Sequence, residues 1–206
     1  RLYSEELSRL SLWLVIVGVS GIVAVFLTRA YAWFPLTAGV LLVGFWTFAY
    51  VVVRTLPPLG QWDITEAHFL VAITALVIAT LFGWLLATDV AYRILDSLPV
   101  TPRGLLMAHL TLTVFGFVAV TIVGALSQLG PMFTQAPEHT IDTHLAHVEM
   151  IALPGGVFLL AAGRLVDTLL LARVGASLLI AGLFAFALIH LRRLRAAQVE
   201  AGPMLR

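Results

Sequence analysis

EHTIDTHLAHVEMIALP, residues 138–154, sets three histidines and three carboxylates at the mouth of an apolar segment with no further charge before Arg164. Roughly 20 consecutive apolar residues cross the hydrocarbon core of a bilayer as a helix, and charge inside that core is costly. A polar cluster at the head of an apolar run therefore marks a helix entering lipid. Asp142 is a good N-cap for it, and the spacing predicts a span over 143–163. Working outward, five more runs of the same kind cover 11–28, 35–53, 64–87, 102–128 and 168–191. The expected fold is all-α: one integral membrane domain, 1–206, built as a polytopic transmembrane bundle of six helices. Composition agrees. Hydrophobic residues make up 61% of the chain, charged residues 11%, and the mean hydropathy is +1.02, whereas a soluble domain carries about 25% charged residues.

The punctuation between the runs is specific. Residues 1–10 read as an amphipathic interfacial segment with Ser4 as a cap. Pro35 suits the first turn of the second span. RTLPPLGQWDITE, residues 54–66, is a turn-rich loop ending in a capping box, Asp63 with Glu66. Thr101-Pro102 opens the fourth span, and Leu129-Gly130-Pro131 is expected to stop it. Pro154, followed by Gly155 and Gly156, is expected to kink the fifth span near its middle. Arg192, Arg193 and Arg195 end the sixth at the headgroups. The first apolar run is too long for a secretory signal, and a chain beginning at Arg1 reads as part of a longer protein. With no cysteine, disulfides, thiolate metal sites, iron–sulfur clusters and covalent c-type haem are excluded. All basic residues are arginine and the net charge is +1, so no nucleic-acid partner is expected. Six spans place seven arginines on the side of the termini and five on the other, which favours cytoplasmic termini in a prokaryotic cell membrane.

The same topology sorts the histidines. His68, His139, His144, His147 and His190 fall towards one membrane face, with Asp63, Glu66, Glu138, Asp142 and Glu149; His109 lies towards the other. His144 and His147 are three apart and share a helix face, and imidazole is a common ligand for metals and haem iron. Met150, three residues beyond His147, and Met132 add soft thioethers, which suit copper. Glu149 is the only carboxylate well inside a span. Two residues from His147, it sits on a different face, where it would carry a proton or meet another helix; it is the candidate catalytic group. Gly83, Gly116, Gly124, Gly155 and Gly156 would leave gaps for a macrocycle. The ordinary alternatives are that the histidines are interfacial and that the glycines line helix contacts.

AHLTLTVFGFVAVTIVGALSQLGPMF, Ala108–Phe133, has a histidine near the start of a helix, Gly116, a Thr121-to-Gly124 step and a closing Gln-Leu-Gly-Pro-Met-Phe. It resembles a helix of the membrane proteins related to subunit I of the haem-copper oxidases and nitric oxide reductases. In that group, transmembrane histidines bind b-type haem and, in the oxidases, copper, so the resemblance implies His109 as a haem or metal ligand. The stretch covers about an eighth of the chain. His-Pro-Glu-Val-Tyr, an adjacent histidine pair and His-x-His are absent, and six spans are half of the twelve in the oxidase core.

The sequence thus favours a membrane redox or electron-transfer protein holding haem b, or copper, through His68, His109, His144 and His147, with His144, His147 and Met150 as the metal set. Its partners would be the lipid bilayer, other membrane subunits or an electron-donor protein. The alternative is a proton- or cation-coupled transporter or channel-like protein using Glu149 and the histidines. A third reading is a non-catalytic subunit of a membrane complex.

Overall fold

A computed structural model describes residues 2–58, 63–134 and 143–201; within these, the side chains of 131, 134, 143 and 197–201 are not described. The helices are α1 (Glu5–Thr28), α2 (Phe34–Thr55), α3 (Ile64–Tyr92), α4 (Pro102–Thr111), a π-helical segment (Leu112–Ala119), α5 (Val120–Thr134), α6 (Thr143–Leu165) and α7 (Leu169–Ala201). The α4–π–α5 run forms one span, so among the described residues six helices are long and apolar enough to cross a membrane. The chain is an all-α bundle of transmembrane character.

Local chemistry explains the helix starts. The Leu7 amide donates to Ser4 Oγ at 3.3 Å, and the Gly104 amide to Thr101 Oγ1 at 3.0 Å. At α3 the capping box is complete. Asp63 Oδ1 accepts from the amides of Thr65 (2.7 Å) and Glu66 (3.2 Å), and Glu66 Oε2 accepts from the Asp63 amide at 3.1 Å. The hydrogen bond with the Glu66 side chain, aided by the backbone donors of Glu66 and Thr65, holds the Asp63 carboxyl below its ordinary value. A depressed carboxylate contributes stability that is full above the unfolded value, near 3.8, and disappears as pH falls through the lower folded value. Asp63→Ala should therefore cost about 1 kcal/mol at neutral pH. The difference from the parent should shrink as thermal unfolding is followed below pH 4 or so, where the ordinary carboxylate protonates.

Three boundaries depart from the sequence reading. Residues 5–10 are continuous with the first span, forming the first turns of α1, because EELSRL contains no helix breaker and Ser4 caps it. Leu129-Gly130-Pro131 does not stop the fourth span; α5 runs on to Thr134. A proline removes one backbone bond and need not end a helix already held by its neighbours. Likewise α7 continues through the arginines. Pro154 lies inside α6, which runs on to Leu165. The expected Asp142 cap, with Glu138 and His139, lies outside the described residues.

The packing reverses that of a soluble protein. The interior is lined by small residues such as Ala72, Ala75, Ala79 and Ala108, while Leu27 (80% exposed), Ile151 (73%) and Leu170 (73%) point outward. Without water to drive apolar side chains inward, membrane helices associate through close backbone approach at small residues. The α1–α2 and α6–α7 pairs are antiparallel hairpins, and α3 lies between α2 and the α4–π–α5 span. In the α6–α7 hairpin, Gly156 and Gly163 face the backbone of Leu179 and Ala172, and Gly175 and Gly182 face that of Leu160 and Leu153.

Candidate functional site

One face of α6 turns Ala146, Glu149, Leu153 and Val157 into the bundle, and all four are buried. Glu149 meets α3 there: its Oε1 lies 2.9 Å from His68 Nε2, with His68 fully buried and Glu149 2% exposed. The other imidazole nitrogen, Nδ1, lies 2.6 Å from the Ile64 carbonyl oxygen one turn earlier. A carbonyl can only accept, so Nδ1 carries a proton and donates it. Nε2 is then the titrating position. The 2.9 Å contact holds one proton, either as a protonated Glu149 donating to neutral imidazole or as imidazolium donating to carboxylate. Both forms are neutral overall, which is the condition for keeping such a pair in a low-dielectric interior.

Gly124 allows the approach. A Cβ there would lie 2.7 Å from His68 Cβ, so α5 presses its bare backbone against the residue that carries the imidazole. The other glycines serve contacts of the same kind. A Cβ at Gly116 would meet Ala75 and Val157, and one at Gly156 the backbone of Leu179; Gly155 faces open space. Of the positions read as gaps for a macrocycle, Gly83 and Gly124 face candidate ligands, the His109 ring and His68.

Beside the pair, towards the end of the bundle where α3 and α6 begin, is a cavity of about 200 Å³. Its walls include Asp63 and Thr65 on α3, Ser127 on α5, Glu149 on α6, and His190 and Arg193 on α7. His190 Nδ1 lies 3.1 Å from the Phe186 carbonyl oxygen, and Nε2 lies 3.4 Å from that of Leu126. Arg193 is 6% exposed, and among the described residues its Nε and Nη1 have no hydrogen-bond partner.

His109 occupies a separate place. Its Nδ1 donates to the Ala79 carbonyl of α3 at 2.8 Å, and no hydrogen bond of Nε2 is seen among the described residues. The ring lines an apolar cavity of about 310 Å³ with Phe45, Gly83, Trp84, Thr113 and Phe117. The π segment begins three residues after His109 and supplies the last two of these side chains. Such segments replace the regular α ladder locally and occur often at functional sites.

No family model, curated protein or solved structure matches this chain. The geometry has to carry the reading.

His144 and His147 stand on the outer face of α6 with Val148 and Ile151, all exposed, whereas Met150 is half-buried. The structure therefore joins His68 with Glu149 and leaves His144, His147 and His109 apart from them. Among the described residues there is no group of three His, Cys, Asp or Glu side chains arranged to hold a metal. Sequence reasoning missed Arg193, taken as a headgroup residue, and set His190 aside as interfacial. A signal was present: Phe186, Ile189, His190 and Arg193 recur at helical spacing, which puts them on one side of α7.

Proposed function

We propose that this protein moves protons across or into the membrane, alone or coupled to a solute, with the His68–Glu149 pair as the proton-carrying group. The observation that carries the reading is the fully buried 2.9 Å contact between the two side chains on different transmembrane helices. Ionisable groups inside a membrane span are expensive and usually mark a proton or ion path. Here the Ile64 carbonyl assigns the tautomer, so that a proton can pass between Nε2 and Oε1 without rotation of either ring or carboxyl group. The adjoining cavity, which Glu149 lines together with Asp63 at the head of α3, lies between the pair and one end of the bundle. With cytoplasmic termini, as the arginine distribution favours, that end faces the cytoplasm. The test is proton flux into liposomes containing the purified chain, followed with an entrapped pH indicator under an imposed potential. Flux in the parent and loss in Glu149→Gln is the expected result; equal flux in both overturns the reading.

A second reading rests on His109. An imidazole whose Nδ1–H is held by a carbonyl, with Nε2 left for a ligand, has the orientation of metal- and haem-binding histidines, and the Ala108–Phe133 resemblance points to the same residue. The residues fit one axial ligand to haem b or one ligand to copper. The adjacent cavity, near the lower end of the roughly 300–1,000 Å³ range of ligand sites, is lined by no second histidine. A bound haem would supply one-electron chemistry, and the chain would provide the oriented imidazole and an apolar wall. A reduced-minus-oxidised visible spectrum of the purified protein, with metal analysis, should then give a b-type band absent from His109→Ala. A colourless, metal-free protein removes this reading and leaves the proton reading untouched.

A further inference from the structure

An arginine guanidinium is charged at every accessible pH, and removing an ion from water costs several kcal/mol unless something compensates it. Among the described residues, Arg193 is buried without that compensation. Two of its nitrogens have no partner, and no carboxylate lies within 4.0 Å of it among the described residues. The charged groups sharing its cavity are committed elsewhere: Asp63 caps α3, and Glu149 binds His68. The remaining polar wall is Thr65, Ser127 and His190. Arg193 borders about 200 Å³ of space, and a planar fork of donors fits a group with two or three acceptor oxygens and a negative charge.

We infer that this cavity takes a small oxyanion, a carboxylate or phosphate group, on the Arg193 guanidinium, and that its arrival draws one proton onto the His68–Glu149 pair. The second half rests on the proton-carrying role proposed above. The coupling is electrostatic. Glu149 lines the same cavity as Arg193, so an incoming anion would stand beside a carboxylate whenever the pair has lost its proton. Protonation removes that repulsion, and by linkage the anion favours protonation to the same degree. Among the described residues, the charged and titratable groups facing the space are Asp63, the cap of α3, Glu149 from α6 and His190 and Arg193 from α7; α5 contributes the neutral Ser127. Starting from the proton-free pair, one anion and one proton enter together, with no covalent bond made and no change in buried charge. The substrate class is then a small organic acid or inorganic phosphate cotransported with a proton.

The test uses the full chain in detergent, titrated with sodium acetate and separately with sodium phosphate. Binding is measured calorimetrically, and proton uptake with an indicator dye in weak buffer. Saturable binding of either anion is the expected result, with proton uptake that rises towards one per anion as the titration is repeated at higher pH, where the pair has lost its proton. Arg193→Gln should weaken binding at least about tenfold, since charge-assisted bonds are lost. Arg193→Lys, which keeps the charge without the fork, should fall between. Because the guanidinium is uncompensated, Arg193→Gln should unfold no earlier than the parent, which separates lost binding from lost folding. Glu149→Gln should bind the anion and take up no proton. Phosphorus analysis of the purified samples distinguishes the source: a phospholipid retained by the parent and lost from Arg193→Gln assigns the oxyanion to a lipid headgroup. No binding and no retained lipid in the parent, or unchanged binding in Arg193→Gln, overturns the site. Binding without proton uptake in the parent across that whole pH range overturns the coupling alone. Absence of proton flux in anion-free liposomes bears instead on the role of His68–Glu149, and leaves the binding result standing.

Discussion

Glutamine at position 149 should leave the bundle folded and stop proton movement. The reason lies in the tautomer. With Nδ1 of His68 donating to the Ile64 carbonyl at 2.6 Å, neutral imidazole presents a lone pair at Nε2, and the glutamine amide can donate to it much as a protonated carboxyl does. The buried hydrogen bond survives, so the change in stability should stay within about 1 kcal/mol, the net worth of one such bond. An amide neither gains nor loses a proton at physiological pH, and flux should fall to the level of protein-free liposomes. Glu149→Ala is the structural contrast. It leaves Nε2 buried without a partner and opens a void, which together should cost about 3–5 kcal/mol, as when one member of a buried pair is removed. A His68–Glu149 contact that merely glues α3 to α6 would give a different pattern, in which Glu149→Gln keeps both fold and flux. Flux and thermal unfolding measured on the two variants separate these outcomes.

The second large effect is expected from two neighbouring glycines with opposite surroundings. A methyl group at Gly156 would sit 2.7 Å from Leu179 Cα and 2.8 Å from the Gly175 carbonyl oxygen, both backbone atoms. Backbone cannot swing aside as a side chain can, so α6 and α7 must separate. Overpacking of this kind costs about 1–3 kcal/mol, and here the displaced helices carry Glu149 and Arg193. Gly156→Ala should therefore lower the unfolding temperature and weaken proton flux together. At Gly155 a methyl meets nothing within 4 Å. Gly155→Ala should be neutral, or stabilising by up to about 1 kcal/mol through the better helix propensity of alanine. Thermal unfolding in detergent, read for both variants, checks this. Equal effects at the two positions would mean that the α6–α7 contact is not as close as described.

The close contact also explains why part of the molecule could be read from residue order and part could not. Hydropathy is a property of the local chain, so each apolar run announced its span, and Ser4, Asp63 and Thr101 announced helix starts through bonds to their own next turn. Glu149 stood out for the same reason, as a carboxylate where a single helix has nothing to offer it. Stops were less legible. Leu129-Gly130-Pro131 and the arginines after His190 are breakers or headgroup residues by local rule, yet α5 and α7 continue past them, packed against one another. The partner of Glu149 was less legible still. His68 is 81 positions away, and only the α3–α6 approach, with Gly124 yielding the room, made it the partner in place of His144 or His147. By itself the sequence determined a six-span all-α membrane protein with polar residues gathered towards one face, because crossing lipid demands apolar length and self-contained backbone bonding. The tertiary structure alone decided which polar groups turn inward. A helix shows every side chain to some direction, and the neighbouring helices decide whether that direction is lipid, a proton-sharing partner or a cavity.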